Sequence, residues 1–153
     1  MYNVTLLAHS WLRWAVILAG LVAVGRAIAG ASGRREWTRA DERAGMWFVM
    51  LLDLQLLIGL ILYFALSPIT RAAMQDFGAA MKSSGLRFWA VEHLFGMIVG
   101  LALVHIGRVR TRKLTDSAAR HKVALISYTL GLLAILISIP WPGMPNGRAL
   151  IRF

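Results

Sequence analysis

The sequence predicts an all-α integral membrane fold, a single four-helix bundle running up, down, up and down. Three observations carry that expectation. The chain is 58% hydrophobic with a mean hydropathy of +0.64. It holds four apolar stretches of about the 20 residues that a helix needs to cross roughly 30 Å of hydrocarbon. Its formal net charge of +10 is gathered between those stretches instead of running through them. A soluble domain of 153 residues has too little interior to hide so much apolar surface. Apolar spans joined by basic loops explain both properties together, so no nucleic-acid partner is expected.

The first span is expected over residues 4–29 and the second over 45–66, ended by Ser67-Pro68. The third is expected over 86–107 and the fourth over 121–139, ended by Pro140. Proline cannot continue a helix without losing a hydrogen bond, which gives both stops a cause. Residues 1–153 therefore read as one transmembrane domain. The N-terminus lacks a basic region before its apolar run, and the run is long for a signal peptide, so no cleavable signal is expected.

Lysine and arginine positions orient the spans. Arg26, Arg34, Arg35, Arg39 and Arg43 follow the first span, and Arg108, Arg110, Arg112, Lys113, Arg120 and Lys122 follow the third. The opposite side holds Arg71, Lys82, Arg87, Arg148 and Arg152, with Arg13 inside the first span. The richer side should be cytoplasmic, and an even number of spans then places both termini outside, on the periplasmic side. Residues 67–85 carry a loose helical pattern of apolar side chains. That segment reads equally as a short helix on the outer membrane surface or as a plain connection.

Ionisable side chains inside hydrocarbon are costly, which makes each a candidate for function. They are His9 and Arg13 in the first span, Asp53 and Gln55 in the second, and Glu92, His93 and His105 in the third. His121 stands at the mouth of the fourth. His9 lies roughly 8 Å and His93 roughly 10 Å from the outer ends of their helices at 1.5 Å per residue. The first and third spans are diagonal in such a bundle, so two imidazoles would oppose each other at one level. That is the arrangement a bis-histidine haem requires. Gly96 and Gly100 share the face of His93. They would let a porphyrin approach the backbone, or serve as an ordinary helix-contact motif, which is the commoner use of this spacing. Arg13 would meet Glu92 or a haem propionate.

His105 and His121 form a second pair toward the cytoplasmic face, which would raise the haem count from one to two. Their geometry is less favourable, because twelve residues turn His105 roughly 120° away from His93. In Arg120-His121-Lys122 a solvated headgroup histidine is the ordinary reading. Asp53 would relay protons, line a quinone pocket or, as the plainer expectation, pair with Arg26 or Arg108. Gln55 and Gly59 share a face, as a helix contact would. Trp11, Trp37, Trp47, Trp89 and Trp141 lie near expected helix ends as interfacial anchors, and Trp89 also shares the face of His93. With no cysteine, disulfides, iron–sulfur clusters and thiolate ligands are excluded.

Four stretches carry a family resemblance. They are Asp53-Leu-Gln-Leu-Leu-Ile-Gly-Leu-Ile-Leu-Tyr-Phe64, Phe77-Gly-Ala-Ala-Met-Lys82, Ala90-Val-Glu-His93 and Ile139-Pro-Trp141. In these, and over most of its length, the chain resembles small bacterial four-helix membrane proteins labelled cytochrome b-like. The resemblance implies a bacterial inner-membrane protein of electron transfer or redox support. It makes His93 the first candidate ligand and His9 the second. Larger b-type cytochromes carry two histidines per helix on one face, a spacing that His93 and His105 do not match.

Two functions are therefore expected. One is a b-type cytochrome with haem b between His9 and His93, exchanging electrons with a quinol pool or a partner enzyme. The other is a non-catalytic accessory subunit of a larger respiratory or photosynthetic complex, with no haem and with structural histidines. No nucleophile–base pair or phosphate-binding loop is present, so enzyme activity would belong to a complex. A small transporter built on Asp53, Arg13 and Glu92 ranks third, since no span is broken.

Overall fold

The computed structural model describes residues 1–151, and Arg152, one of the cations counted on the outer side, lies outside the described residues. Every regular element among the described residues is helical. Four helices are long and apolar enough to cross a membrane: α1 (Tyr2–Gly33), α2 (Arg39–Leu66), α5 (Ser84–Lys113) and α6 (Ser117–Ser138). Between α2 and α5 lie α3 (Pro68–Gln75) and α4 (Phe77–Lys82).

The long helices run past the apolar stretches at the ends beside the basic connections, where caps set several of the bounds, while α2 and α6 stop at Leu66 and Ser138, where their prolines are expected to end them. Arg34 closes α1 in the left-handed region, and its N–H reaches the Gly30 carbonyl. Thr38 opens α2 with a capping box, its own N–H donating to Asp41 Oδ2 at 2.8 Å. Asp116 opens α6 by accepting from the Ala119 N–H at 2.6 Å. Each cap satisfies backbone groups that a helix end leaves free.

The segment read as a surface helix or a plain connection holds α3 and α4. Ser67 caps α3, Asp76 caps α4 and Ser83 caps the start of α5. Ala73 and Ala80 are fully buried in a small cluster with Ala90 of α5.

α1 packs against α2 and α6, and α5 packs against α6 and α2, so α1 and α5 sit across from each other. Val16, Phe48, Leu52, Val104, Tyr128, Leu132 and Ile135 fill the centre. α5 and α6 approach closely at Gly100 and Gly131. A Cβ added at either glycine would stand 3.0 Å from the carbonyl oxygen of the other. Leu18, Leu21, Phe64, Phe95 and Ile137 turn outward, a lipid-compatible surface on a chain of this composition.

Both short connections lie at one end. The Trp37 N–H donates to Ser117 Oγ at 3.0 Å, and Glu42 takes Arg108 at 2.5 Å and Arg120 at 3.0 Å. Arg26 pairs with Asp41 at 2.9 Å. The two arginines expected for Asp53 are thus engaged by the carboxylates of the first turn of α2. Asp53 instead accepts from His105 Nε2 at 2.7 Å.

Candidate functional site

The diagonal placement of α1 and α5 brings His9 and His93 together, one ring edge-on to the other. Their ring centroids are 6.5 Å apart and the planes are inclined by 72°. Both line a cavity of about 240 Å³, somewhat below the roughly 300–1,000 Å³ of pockets for drug-sized ligands. Its floor is apolar, with Leu52, Met97, Ile135 and Ile139 among the lining residues, while Arg13, Tyr63, Trp89 and Arg148 add polar and aromatic wall.

α6 orients His93. Its Nδ1 donates to the Ser138 carbonyl at 2.8 Å. An imidazole that donates through Nδ1 carries its lone pair on Nε2 when neutral. Trp89, one turn earlier, lies 5.6 Å from the His93 ring, and Phe88 lies 5.9 Å from it. α2 orients His9. The Gln55 amide donates to the His9 carbonyl at 3.0 Å and sits 3.2 Å from His9 Nε2. Gly59, one turn on, leaves room for the ring, since a Cβ there would stand 3.2 Å from His9 Cε1. His9 Nδ1 and Gln55 Oε1 are buried without a hydrogen-bond partner.

Two π-turns border the cavity, Leu62–Leu66 and Phe88–Glu92. Such turns are frequent at functional sites. The Tyr63 hydroxyl joins them by donating to the Ala90 carbonyl at 2.7 Å. The second turn also explains the partner of Glu92. Arg87 Nε lies 2.6 Å from Glu92 Oε1, because i→i+5 winding brings residues five apart onto one face. The expected Arg13–Glu92 pair is therefore replaced by a local one. Arg13 Nη2 donates to the Leu150 carbonyl at 2.7 Å, and Trp14 Nε1 donates to the same oxygen at 3.0 Å. Arg148 stacks over Trp89 at 5.1 Å.

The other candidates lie elsewhere. Gly96 faces Ser138 and Gly100 faces Ile135 and Gly131, so both serve the α5–α6 contact. His105 is held by Asp53 on the outside of α2 and α5. His121 is buried, set on Gly30 of α1 with Trp37 at 4.9 Å. The proposed second pair thus occupies two different helix interfaces, α5–α2 and α6–α1. Among the described residues no group of three or more His, Asp or Glu side chains is placed to hold a bare metal ion.

The roles of Gln55, Tyr63 and Ser138 exceed what the sequence announces. Tyr63 gives no signal there. Ser138 does, through Pro142 four residues on. Comparison with protein-family models, with curated proteins and with solved structures gives no match.

Proposed function

We propose that this chain is a multi-pass protein of the bacterial inner membrane, a four-helix bundle that holds one haem b between His9 and His93 for electron transfer. The opposed histidine pair carries the proposal. The two rings stand 6.5 Å apart at the cavity, close enough for one bound group to reach both. The donor set fits. His93 is fixed through Nδ1, which leaves Nε2 for a ligand, and a backbone carbonyl behind a ligating histidine is the usual support. On His9 the ring nitrogen without a protein partner is Nδ1, on the Gly59 side, while Nε2 is held by the Gln55 amide. For His9 to ligate, the Gln55 amide gives up its contact with Nε2. Arg13 and Arg148 line the cavity as cations for acidic substituents. A haem bound there supplies one-electron transfer at a potential set by its two axial imidazoles and their surroundings. Quinol of the bilayer is the proposed electron partner.

Removing one ligand tests the assignment. The reduced-minus-oxidised spectrum of purified His93→Ala protein should lose the bis-histidine signature, and His9→Ala should do the same. A spectrum unchanged in either variant would remove that residue from the site.

A second reading rests on a separate observation. Asp53 and His105 are 48% and 40% exposed at the side chain, although both lie in apolar spans. Polar pairs in a bilayer rarely face lipid. A neighbouring subunit covering this face would make the chain an accessory component of a larger membrane complex. Replacing both with leucine should then lower the native mass of the complex in mild detergent. An unchanged mass would count against a partner on this face.

A further inference from the structure

The last turn of α6 leaves carbonyls without an i+4 donor, as a helix end does, and two of them accept from the side chains of Trp141 and His93. In a continuing helix the carbonyl of residue i accepts from the N–H of residue i+4. Leu136 would be served by residue 140 and Ser138 by residue 142. Both are proline, which has no N–H. The helix turns extended at Ile139, as the residue before a proline prefers. The Leu136 carbonyl keeps a long contact from the Ile139 N–H at 3.4 Å, and the Ser138 carbonyl is left to side chains beside the cavity. Trp141 Nε1 takes that of Leu136 at 2.8 Å. His93 Nδ1 takes that of Ser138 at 2.8 Å. Ser138 Oγ is itself turned back to the Ala134 carbonyl at 2.8 Å, so it does not compete.

We infer that Pro140 and Pro142 are positioning residues for His93. By withholding two amides they present the Ser138 carbonyl to Nδ1, hold His93 in its Nδ1–H form and turn Nε2 to the cavity as the lone-pair nitrogen. The carbonyl end of a helix carries partial negative charge, which favours a donor there and raises the basicity of the ring it polarises. Trp141 belongs to the same device. It adds a second donor to the Leu136 carbonyl and packs edge-on against Trp14 at 6.2 Å, tying the helix stop to α1. The inference rests on the haem reading only for what Nε2 then binds. The orientation of His93 is a property of the protein alone.

The test therefore needs no cofactor. The full chain, with nitrogen-15 in its histidines and carbon-13 in its carbonyls, is placed in lipid nanodiscs, and His93 is assigned by its loss in His93→Asn. In the wild type His93 should show a protonated Nδ1, a bare Nε2 and a scalar coupling from Nδ1 to the Ser138 carbonyl carbon. In Pro140→Ala/Pro142→Ala the restored amide of residue 142 should claim that carbonyl. The coupling should vanish and the Nδ1–H preference should be lost. A wild type protonated at Nε2, or a double variant with the coupling intact, would overturn the inference. Should the double variant not fold, Pro142→Ala alone decides it: a lost coupling supports the inference and an intact one overturns it. Absence of haem from the purified protein would defeat the electron-transfer proposal and leave this result standing.

Discussion

Gly30 lies directly beneath the imidazole of His121, and a Cβ there would overlap the ring. The ring cannot retreat, since it is buried with Trp37 against it. Gly30→Ala should therefore destabilise the protein by about 1–3 kcal/mol, the usual cost of overfilling a packed site. Gly25, on the same helix with nothing within 4 Å of an added Cβ, is the control. Gly25→Ala should be neutral or stabilising by up to about 1 kcal/mol from helix propensity. Thermal unfolding of both variants in one detergent checks the contrast, and equal losses would deny the close contact. The local sequence Arg120-His121-Lys122 gives no hint of this burial. The groups that enclose His121 come from α1 and from the connection after it, so the ordinary reading of a headgroup histidine is the one its neighbours suggest. His9 and His93 were legible for the opposite reason. Depth along a helix follows from counting residues, and the alternation of helix direction puts the two at one level.

At the scale of the element, helix ends are decided by side chains that hydropathy does not register. The apolar run of α2 starts at residue 45, yet the helix starts at Arg39 because Thr38 and Asp41 cap each other. Thr38→Ala should cost about 1 kcal/mol, read as a lowered unfolding midpoint. A change within error would mean that membrane packing alone fixes this end. Glu42, in the same first turn, joins α2 to α5 and α6 through Arg108 and Arg120. Because these groups are partly exposed, the Glu42–Arg108 coupling in a double-mutant cycle should be modest, about 0.5–1 kcal/mol, and should shrink with salt. Purely additive losses would show that the contact contributes nothing. The pairing itself was not legible. Arg26 and Arg108 were the expected partners of Asp53, but Asp41 and Glu42 stand nearer the basic connections, and Asp53 is left to His105. The π-turn at Phe88–Glu92 was equally silent in sequence, and it moves Glu92 from Arg13 to Arg87.

At the scale of the whole molecule, four apolar runs with charge gathered between them announce the four long helices, their order and the end at which the basic connections gather. The orientation in the membrane rests on that charge asymmetry. A periplasm-dependent reporter fused after Phe153 should be active, and a cytoplasm-dependent one silent. The reverse result would turn the proposed topology over and put the histidine pair in the inner half of the bilayer.

The central claim is that the paired histidines hold one haem. Its most direct measurement is a pyridine haemochrome count on the detergent-purified wild-type chain from cells able to supply haem. The proposal predicts about one haem b per chain, since His105 and His121 lie in separate interfaces. No haem would contradict it.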